Sequence, residues 1–569
     1  MTERVTARLA VLTDRRRTLV AIGIVVLAVA LPLRGLLRHP GPPMEEGFML
    51  VFGESFLRGD IPNRDFLHLY GPGGVWVLSG AFEVFGVSLL TERLVGLLQL
   101  LGVIGGIFVL ALPWGRKAAV AGAIVTATVI LPPIGLTALA WNGGIALGLV
   151  GLAAGLGARR ARTSRARAAL AITSGALLGA AILYRPDLVL AVALAAFFLL
   201  RGTDRAIRVR VLVALAAVLS LFLVHIAMAG LSDSVQGMVI DPVFNLRGGR
   251  ALPLPPSLDD YDGFLVRVAD SVAISWPIPK LFGPVQILVW LVLLLGSIVL
   301  LGLMARLVRR REPEAFRGVV LAVVAAFALG ILPQGLQRPD PTHLAWVSCV
   351  PFGFLPVAAV ELVRWRRPSL SPMRVFLAGA VPVVVILYLL VPNFLIRDYV
   401  DLSLETFGIS RVSHEIEHAG RTFYYGNGEV AEQLAELLPA ADRVIRPGDR
   451  LVVGTGDLRK TPLSEAFLYY LLPAAHPGTY YIEMDPGVAN ADDSRLADDL
   501  SKADVVILSR VWDEFHEPND SRNLGSARPN RVLRRRFCTV LDLPLYELLE
   551  RCDRVRASST SRGTSQVHR

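Results

Sequence analysis

The chain has 569 residues, of which 53% are hydrophobic and only 19% are charged, and its mean hydropathy is positive. Apolar residues fall in runs of about 20, the length that crosses a bilayer, which is typical of a polytopic membrane protein. The formal net charge of +10 does not indicate nucleic-acid binding. Most arginines form short clusters between apolar runs, and no basic, aromatic-rich module accompanies them.

The N-terminus reads as a membrane anchor. Residues 1–17 are polar, end in three consecutive arginines, and are followed by the apolar run 19–37. Ala28-Val29-Ala30 resembles a weak signal-peptide cleavage site, but the many later spans favour a retained signal anchor with a cytoplasmic N-terminus.

Further apolar segments predict about 11–13 spans within residues 18–396. They lie at 74–90, 93–113, 117–133, 136–157, 168–184, 186–201, 211–230, 284–307, 317–335, 343–363 and 374–396. Arginine-rich connections should be cytoplasmic, and they lie at 159–167, 201–210, 306–317 and 364–374. The outer side then receives loops 38–73 and 231–283, the turns 184–187 and 337–343, and everything after residue 393.

This count contains a parity conflict. Twelve crossings would return the C-terminus to the cytoplasm, whereas the arginine pattern requires an odd number. Either the segment 74–90 does not cross, or a span between residues 90 and 160 is missing from the count.

Residues 397–556 differ in character, because charged residues become frequent and the apolar runs shorten to strand length. We predict an extracytoplasmic α/β domain with strands near 451–453, 480–482 and 504–508. Cys538 and Cys552 both fall in this domain and are candidates for a disulfide, since the outer compartment permits oxidation. Residues 557–569, rich in Ser, Thr and Arg, are predicted to be a disordered tail.

The loop 38–73 concentrates polar residues beside the membrane. It contains Glu45, Glu46, Asp65, His68 and Tyr70, and the chain returns to the bilayer through an abrupt Tyr-Gly-Pro-Gly-Gly turn. Carboxylates at a membrane surface are costly unless they serve a function. The plain alternative is a solvated, acidic loop end.

The stretch PPMEEGFMLVFGESFLRGDIPNRDFLHLYGPGG, followed by VWVLSGAFEVFGVSLLTERL, resembles the first outer loop and following helix of the GT-C superfamily of membrane glycosyltransferases. The similarity is to the family 39 or aminoarabinose-transferase type and to uncharacterised actinobacterial members. Glu45 stands where the family's catalytic Asp does, one methylene longer. Glu46 and Asp65 match the family's further acids, Tyr70-Gly71-Pro72 matches its turn, and Phe85-Gly86 with Arg93 matches its last element.

The resemblance implies a site in which a base activates the acceptor and cations hold the phosphate of a polyprenyl-phosphate sugar. Glu45 would be the base, with Glu46 or Asp65 as its partner. The same two acids are candidate ligands of a divalent cation, Mg²⁺ or Mn²⁺, if one is used. The substrate-binding candidates from the outer loop and turns are His68, Tyr70, Arg185, Arg338, Asp340 and His343.

Each candidate also has a structural interpretation. Arg185 can pair with Asp187 and cap a helix, and His68 can pack within the loop. Arg247 and Arg250 can reach a lipid phosphate or be solvated, and we favour solvation. Loop 231–283 is long enough to shape an acceptor site, whereas its acidic residues Asp259, Asp260 and Asp262 are expected to be surface residues.

The sequence thus predicts a plasma-membrane glycosyltransferase that acts on an envelope glycan, lipid or protein. Two other classes stay open. A lipid-linked sugar transporter or flippase would bind the same head group without chemistry. A non-catalytic envelope scaffold would use its outer domain for recruitment.

Overall fold

The structure, a computed structural model, describes residues 2–254, 283–311, 316–391, 393–409 and 413–556. The acidic group Asp259, Asp260 and Asp262 and the predicted tail 557–569 lie outside the described residues. The α-helices are α1 (Thr2–Arg38), α2 (Pro43–Leu57), α3 (Gly73–Phe85), α4 (Leu89–Ala111), α5 (Arg116–Ile134), α6 (Ala140–Arg160), α7 (Ser164–Tyr184), α8 (Val189–Leu200), α9 (Arg205–Leu219), α10 (Leu221–Ala229), α11 (Leu231–Val235), α12 (Arg247–Arg250), α13 (Gly283–Arg311), α14 (Phe316–Gln337), α15 (Pro341–Arg366), α16 (Pro372–Leu390), α17 (Asn393–Leu404), α18 (Gly428–Val444), α19 (Phe467–Leu471), α20 (Leu496–Lys502) and α21 (Arg528–Arg536).

Shorter turns complete the helical part. They are the 3₁₀ helices Leu112–Trp114, Pro186–Leu188, Glu405–Phe407 and Asp520–Arg522, and the π-helix Gln236–Asn245. The strands are β1 (His414–His418), β2 (Arg421–Tyr425), β3 (Arg450–Thr455), β4 (His476–Pro477), β5 (Val505–Ser509), β6 (Phe537–Asp542) and β7 (Tyr546–Arg551).

Every predicted apolar segment forms a helix. Within the described residues, nine helical stretches are long and apolar enough to cross a membrane, and two apolar stretches, Gly73–Phe85 and Pro186–Leu200, are shorter. Helix α5, with 19 residues, accounts for the remaining segment. The 13 residues of α3 rise only about 20 Å, less than the hydrocarbon core of about 30 Å. Pro186–Leu200 is short by the same measure, so helix length does not decide between the two explanations of the parity conflict.

Small residues let the helices pack closely. A Cβ on Gly96 would lie 1.7 Å from the carbonyl oxygen of Leu136, and one on Gly175 would lie 2.1 Å from that of Val211. Helix α4 therefore meets the backbone of the α5–α6 connection at Gly96, and α7 meets the backbone of α9 at Gly175, a close approach that is common between membrane helices. Helix α7 packs in this way between α6 and α9.

The segments predicted to be outside meet at one end of the bundle. The amide of Leu67 donates to the carbonyl of Tyr480 at 2.7 Å, and that of Leu252 donates to Gln337 at 3.0 Å. The side chain of Asn519 donates to the carbonyl of Ala251 at 3.0 Å. The loop after α2, the chain after α12 and the α14–α15 connection are thus in contact with each other or with the C-terminal domain.

The C-terminal domain is built on a five-stranded mixed sheet with strand order β4-β3-β5-β7-β6. Strands β3 and β5 pair in parallel at the centre, with Val453 opposite Ile507. Both are apolar runs buried on both faces, as a covered parallel pair requires. Strands β5 and β7 pair antiparallel, as do β6 and β7. Strands β1 and β2 form a separate hairpin.

Two details differ from the predicted domain. The strand expected at 480–482 is not formed, because the carbonyl of Tyr480 bonds to the loop after α2 and its amide bonds to the side chain of Asp499 rather than to the sheet. Helix α17 spans the expected boundary at residue 396 and packs on α1, where the hydroxyl of Tyr399 donates to the carbonyl of Ala28 at 2.5 Å. A disulfide joins Cys538 to Cys552, with their Cα atoms 4.9 Å apart.

Candidate active site

Helix α2 positions the acidic pair. Pro43 occupies the first helical position and pre-sets the backbone, and both acids lie in the first turn, where the helix dipole favours negative charge. Adjacent residues on a helix point about 100° apart. Glu45 and Glu46 therefore cannot face the same site.

Glu46 faces the bundle and is fully buried. Arg93 of α4 donates two parallel hydrogen bonds to the Glu46 carboxylate, from Nε to Oε1 at 2.7 Å and from Nη2 to Oε2 at 2.8 Å. The same guanidinium also donates to the carbonyls of Leu36, Leu37 and His39. The interaction joins two elements of the sequence motif and fixes the end of α1 to α2 and α4.

Glu45 faces the end of the bundle. Among the described residues its Oε2 has no hydrogen-bond partner. Burial raises the pKa of Glu45, and the opposing effects are a hydrogen bond with its own backbone and the positive charges of Arg250, Arg338 and His343. The carboxyl therefore holds a proton more readily than an exposed glutamate, and Arg250, Arg338 and His343 lie within electrostatic range of it.

Arg338 sits in a dense network at the α14–α15 connection. Its Nε donates to Asp340 at 2.8 Å, its Nη1 donates to the carbonyl of Arg250 at 2.8 Å, and both terminal nitrogens bond to Glu517. Burial alone would raise the pKa of Asp340, but His343 and Arg338 hold it near 2. The guanidinium is thus engaged by protein acceptors and orients its neighbours.

Asp340 also caps helix α15. Its Oδ1 accepts from the amide of His343 at 2.8 Å and contacts the ring Nδ1 of the same residue at 2.9 Å. The imidazole packs edge to face on Trp346. The structure therefore brings Arg338, Asp340 and His343 together near Glu45.

A second group surrounds Tyr70. The guanidinium of Arg185 lies 4.6 Å from the ring centre of Tyr70 and 4.9 Å from that of Trp141. Arg185 also pairs with Asp187 through bonds of 2.9 and 2.7 Å. Burial, together with the negative charge of Glu483, raises the pKa of Tyr70 to about 12. The negative charge of Glu45 also raises the pKa of Tyr70, so Tyr70 lies within electrostatic range of Glu45 as well as of Arg185.

Asp65 and His68 have local partners. Asp65 accepts from the amide of Ile61 at 2.8 Å and from the Nη2 of Arg64 at 2.7 Å. Burial acts to raise the pKa of Asp65, but these bonds lower it. His68 is 1% exposed and packs against the rings of Phe52 and Tyr70. Burial lowers the pKa of His68 to about 3, so the ring is neutral.

The proposed cation ligands do not fit a metal site. Both oxygens of Glu46 are bound by Arg93, and the carboxylate of Asp65 is bound by Arg64. Across the described part of the chain, no group of three or more His, Cys, Asp or Glu side chains is placed to hold a metal ion. Glu46 and Asp65 are not arranged to share a cation.

The C-terminal domain contributes residues that the sequence did not indicate. Arg250, expected to be solvated, forms an ion pair with the fully buried Asp485 and lies 4.0 Å from Glu483. Burial and the charge of Glu45 raise the pKa of Glu483 to about 7, although Arg250 opposes this. Glu517 holds Arg338. The sequence pattern that could have indicated Glu483 and Asp485 is Ile-Glu-Met-Asp-Pro-Gly, in which acids directly follow an apolar run.

Comparison with known proteins identifies the fold. No family model and no curated protein matches the chain. The crystal structure of ArnT from Cupriavidus metallidurans bound to undecaprenyl phosphate is similar over 93% of this chain and 97% of that one, with a TM-score of 0.51 and 14% identity. The apo form of the same protein matches over 94% and 98%, with a TM-score of 0.50 and 14% identity.

The chain has the GT-C fold. The similarity spans both the helical bundle and the C-terminal domain. It confirms the predicted architecture, a polytopic helical protein of GT-C-like fold followed by an α/β domain. Within this GT-C fold, the end of α2 that carries Glu45 faces the junction between the bundle and the C-terminal domain.

Proposed function

We propose that this protein is a glycosyltransferase that moves a sugar from a polyprenyl-phosphate donor to a cell-envelope acceptor at the outer face of the plasma membrane. The observation that carries the proposal is Glu45, a carboxyl with one oxygen unpaired among the described residues and with Arg250, Arg338 and His343 within electrostatic range. The GT-C fold, shared with a protein solved with undecaprenyl phosphate, supports the donor class.

The proposed chemistry assigns each group a task. The acceptor hydroxyl attacks the anomeric carbon of the sugar, the bond from that carbon to the phosphate oxygen breaks, and polyprenyl phosphate leaves. Glu45 takes the proton of the hydroxyl. Arg250, whose side chain is 26% exposed, is best placed to meet the departing phosphate, since preorganised cations stabilise charge that develops there.

Other candidates act as positioning residues in this proposal. Arg338 already donates to Asp340, Glu517 and the carbonyl of Arg250, so it holds Arg250 in place. Arg185 stacks on Tyr70 and keeps that ring at the edge of the site. No step is assigned to a metal ion, because Glu46 and Asp65 are engaged elsewhere.

The outer location follows from the arginine-rich connections at the opposite end of the bundle. The residues around Glu45 contact the C-terminal domain, and the connections 159–167 and 201–210 do not belong to that end. A donor presented at the outer leaflet would therefore reach Glu45 from the membrane side.

The test uses purified protein and radiolabelled sugars on a panel of polyprenyl phosphates, with crude envelope material as the acceptor. Wild type should transfer label, whereas Glu45→Gln should lose about 10²- to 10⁴-fold in rate, the usual contribution of a general base. Glu45→Asp should retain more activity than Glu45→Gln. Donor binding, measured as a shift in unfolding temperature, should persist in both variants.

Two results would overturn the proposal. One is full transfer activity in Glu45→Gln. The other is donor binding without transfer by wild type across the whole panel, together with movement of the labelled lipid across liposomes that contain the protein, which would identify a transporter.

A further inference from the structure

A large groove lies at the end of the bundle opposite Glu45. It has a volume of about 1160 Å³ and runs between α1, α5 and α16. This exceeds the roughly 300–1,000 Å³ of ordinary small-molecule pockets. No residue of the candidate active site lines it.

The lining is apolar along the groove and cationic at its mouth. The cations are Arg16, Arg17, Arg116 and Lys117, and no acidic side chain occurs among the lining residues, all of which lie in the described part of the chain. Arg16, Arg17 and Lys117 are exposed. The Nε of Arg116 donates to the hydroxyl of Thr18 at 2.8 Å, which ties α5 to α1 at the mouth.

The depth of the groove matches one leaflet. Ile24 lies eight residues beyond Arg16 and Ile124 eight residues beyond Arg116, and both line the inner part of the groove. Eight residues of helix rise about 12 Å, most of the roughly 15 Å that half of a hydrocarbon core provides. An acyl chain can therefore lie along the groove while its phosphate stays at the mouth.

Small side chains create the space. Ala21, Ala121 and Ala380 line the groove where larger residues would fill it. Val20, Val381 and Val385 are between 42% and 57% exposed, so the apolar walls are open along the groove. An apolar channel that ends in four cations is complementary to a lipid that is both acylated and anionic.

We infer that this groove is a binding site for an anionic phospholipid of the leaflet at that end of the bundle, with its phosphate held by Arg16, Arg17 and Lys117 and an acyl chain against Ala21 and Ala121. The positive-inside pattern alone would account for arginines in this position, even if they bound no lipid. A topology signal alone does not require the apolar groove that lies beneath these arginines.

The experiment uses the full-length protein, purified in detergent and stripped of lipid. Phosphatidylglycerol, phosphatidylcholine with identical acyl chains, or undecaprenyl phosphate is then added, and bound lipid is counted by native mass spectrometry alongside the unfolding temperature. We expect phosphatidylglycerol to be retained and to raise the unfolding temperature, while phosphatidylcholine is lost on collisional activation.

Three variants distinguish lipid binding in the groove from non-specific attraction to positive charge. Arg16→Gln/Arg17→Gln should weaken retention at least about tenfold, since each basic residue near an anionic surface contributes severalfold. Ala121→Leu should weaken it without a change of charge. Arg162→Gln/Arg165→Gln, which removes two exposed arginines outside the groove, should behave as wild type.

Equal retention of both phospholipids would overturn the inference, as would an equal loss in the Arg162→Gln/Arg165→Gln control. Retention of undecaprenyl phosphate in place of phosphatidylglycerol, abolished by Ala121→Leu, would also overturn it and would identify a second carrier-lipid site. None of these readouts depends on sugar transfer, so the inference and the proposed function fail separately.

Discussion

At the scale of single residues, Glu45 and Glu46 share a sequence context but occupy opposite environments. Glu46 is a buried partner of Arg93, whereas Glu45 has an oxygen without a partner in the described structure. Groups that are costly to the fold are characteristic of functional sites, because activity requires a reactive side chain that is not neutralised by its neighbours.

The pH profile of sugar transfer should report Glu45. Burial raises its pKa above the usual range near 4.3, and a protonated carboxyl cannot accept a proton. Activity should therefore fall as the pH falls through this raised pKa, giving an acid limb in kcat/KM above the ordinary glutamate range. The control variant Glu436→Gln, at an exposed position, should show the same acid limb in kcat/KM as wild type. An acid limb near pH 4 in wild type would contradict the assignment to Glu45.

Stability should distinguish the two acids. Because the folded-state pKa of Glu45 is raised, its ionised form is disfavoured by the fold, and stability from this group declines as pH rises above the unfolded-state value. At pH 7, Glu45→Gln should leave the unfolding temperature unchanged or higher. Glu46→Gln should destabilise by about 3–5 kcal/mol, because it leaves Arg93 buried without its partner.

Unfolding temperature in detergent provides the measurement. Glu83→Gln, on the exposed face of α3, is the matched control and should have no effect. Equal destabilisation by Glu45→Gln and Glu46→Gln would mean that both carboxyls are structural.

At the scale of elements, α2 is held from two directions. Glu54 near its end accepts from Arg58 at 2.6 Å and from Arg421 of strand β2 at 2.7 and 2.8 Å. The loop that follows is fixed by Asn63, which bonds to His225 of α10 at 2.9 Å and accepts from Tyr480 at 3.0 Å. The helix that carries Glu45 is therefore supported by both the bundle and the C-terminal domain.

Gly47 permits the close contact between α2 and α19. A Cβ at this position would lie 2.4 Å from the amide nitrogen of Phe467 and 3.0 Å from its Cα. Gly47→Ala should therefore displace the C-terminal domain from α2 and lower the unfolding temperature, because backbone atoms cannot give way as a flexible side chain can.

Gly80 of α3 offers the control. A Cβ there would meet nothing within 4 Å, so Gly80→Ala should be neutral or stabilising, since alanine is the better helix former. Limited proteolysis should cleave the Gly47→Ala variant faster than the Gly80→Ala variant. Equal cleavage would show that the contact is not needed for domain docking.

At the scale of the whole molecule, the candidate site belongs to two domains. Arg250 and Arg338 come from connections of the helical bundle, and both are held by acids of the C-terminal domain, Asp485 and Glu517. Neither domain alone would fix these guanidinium groups opposite Glu45. The C-terminal domain is therefore part of the site rather than an appendage.

The orientation in the membrane can be measured by cysteine labelling. We expect a membrane-impermeant maleimide to label Glu514→Cys on intact cells, because this exposed position lies in the predicted outer domain. Arg162→Cys, in an arginine-rich connection, should react only after permeabilisation. The native background is small, since Cys538 and Cys552 are joined and Cys349 is buried. The reverse pattern would place the site in the cytoplasm.

The helical architecture could be predicted because it depends on local composition. Each run of about 20 apolar residues can satisfy its backbone hydrogen bonds only as a helix in a membrane. The strands β3 and β5 were also predictable, since their continuous apolar runs require burial on both faces. The segment 480–482 has a similar composition, yet the carbonyl of Tyr480 accepts from Leu67, more than 400 residues away in the chain, and its amide donates to the side chain of Asp499.

The sequence by itself determined the membrane class, the helical segments, the presence of a second domain, the GT-C resemblance and Glu45 as the residue of interest. Only the tertiary structure decided that Glu46 pairs with Arg93 and that Asp65 pairs with Arg64. It also decided that Arg250 pairs with Asp485 and Arg338 with Glu517. The physical reason is that hydropathy and helix periodicity are local properties. The environment of a charge is set by side chains hundreds of residues apart, which no local pattern records.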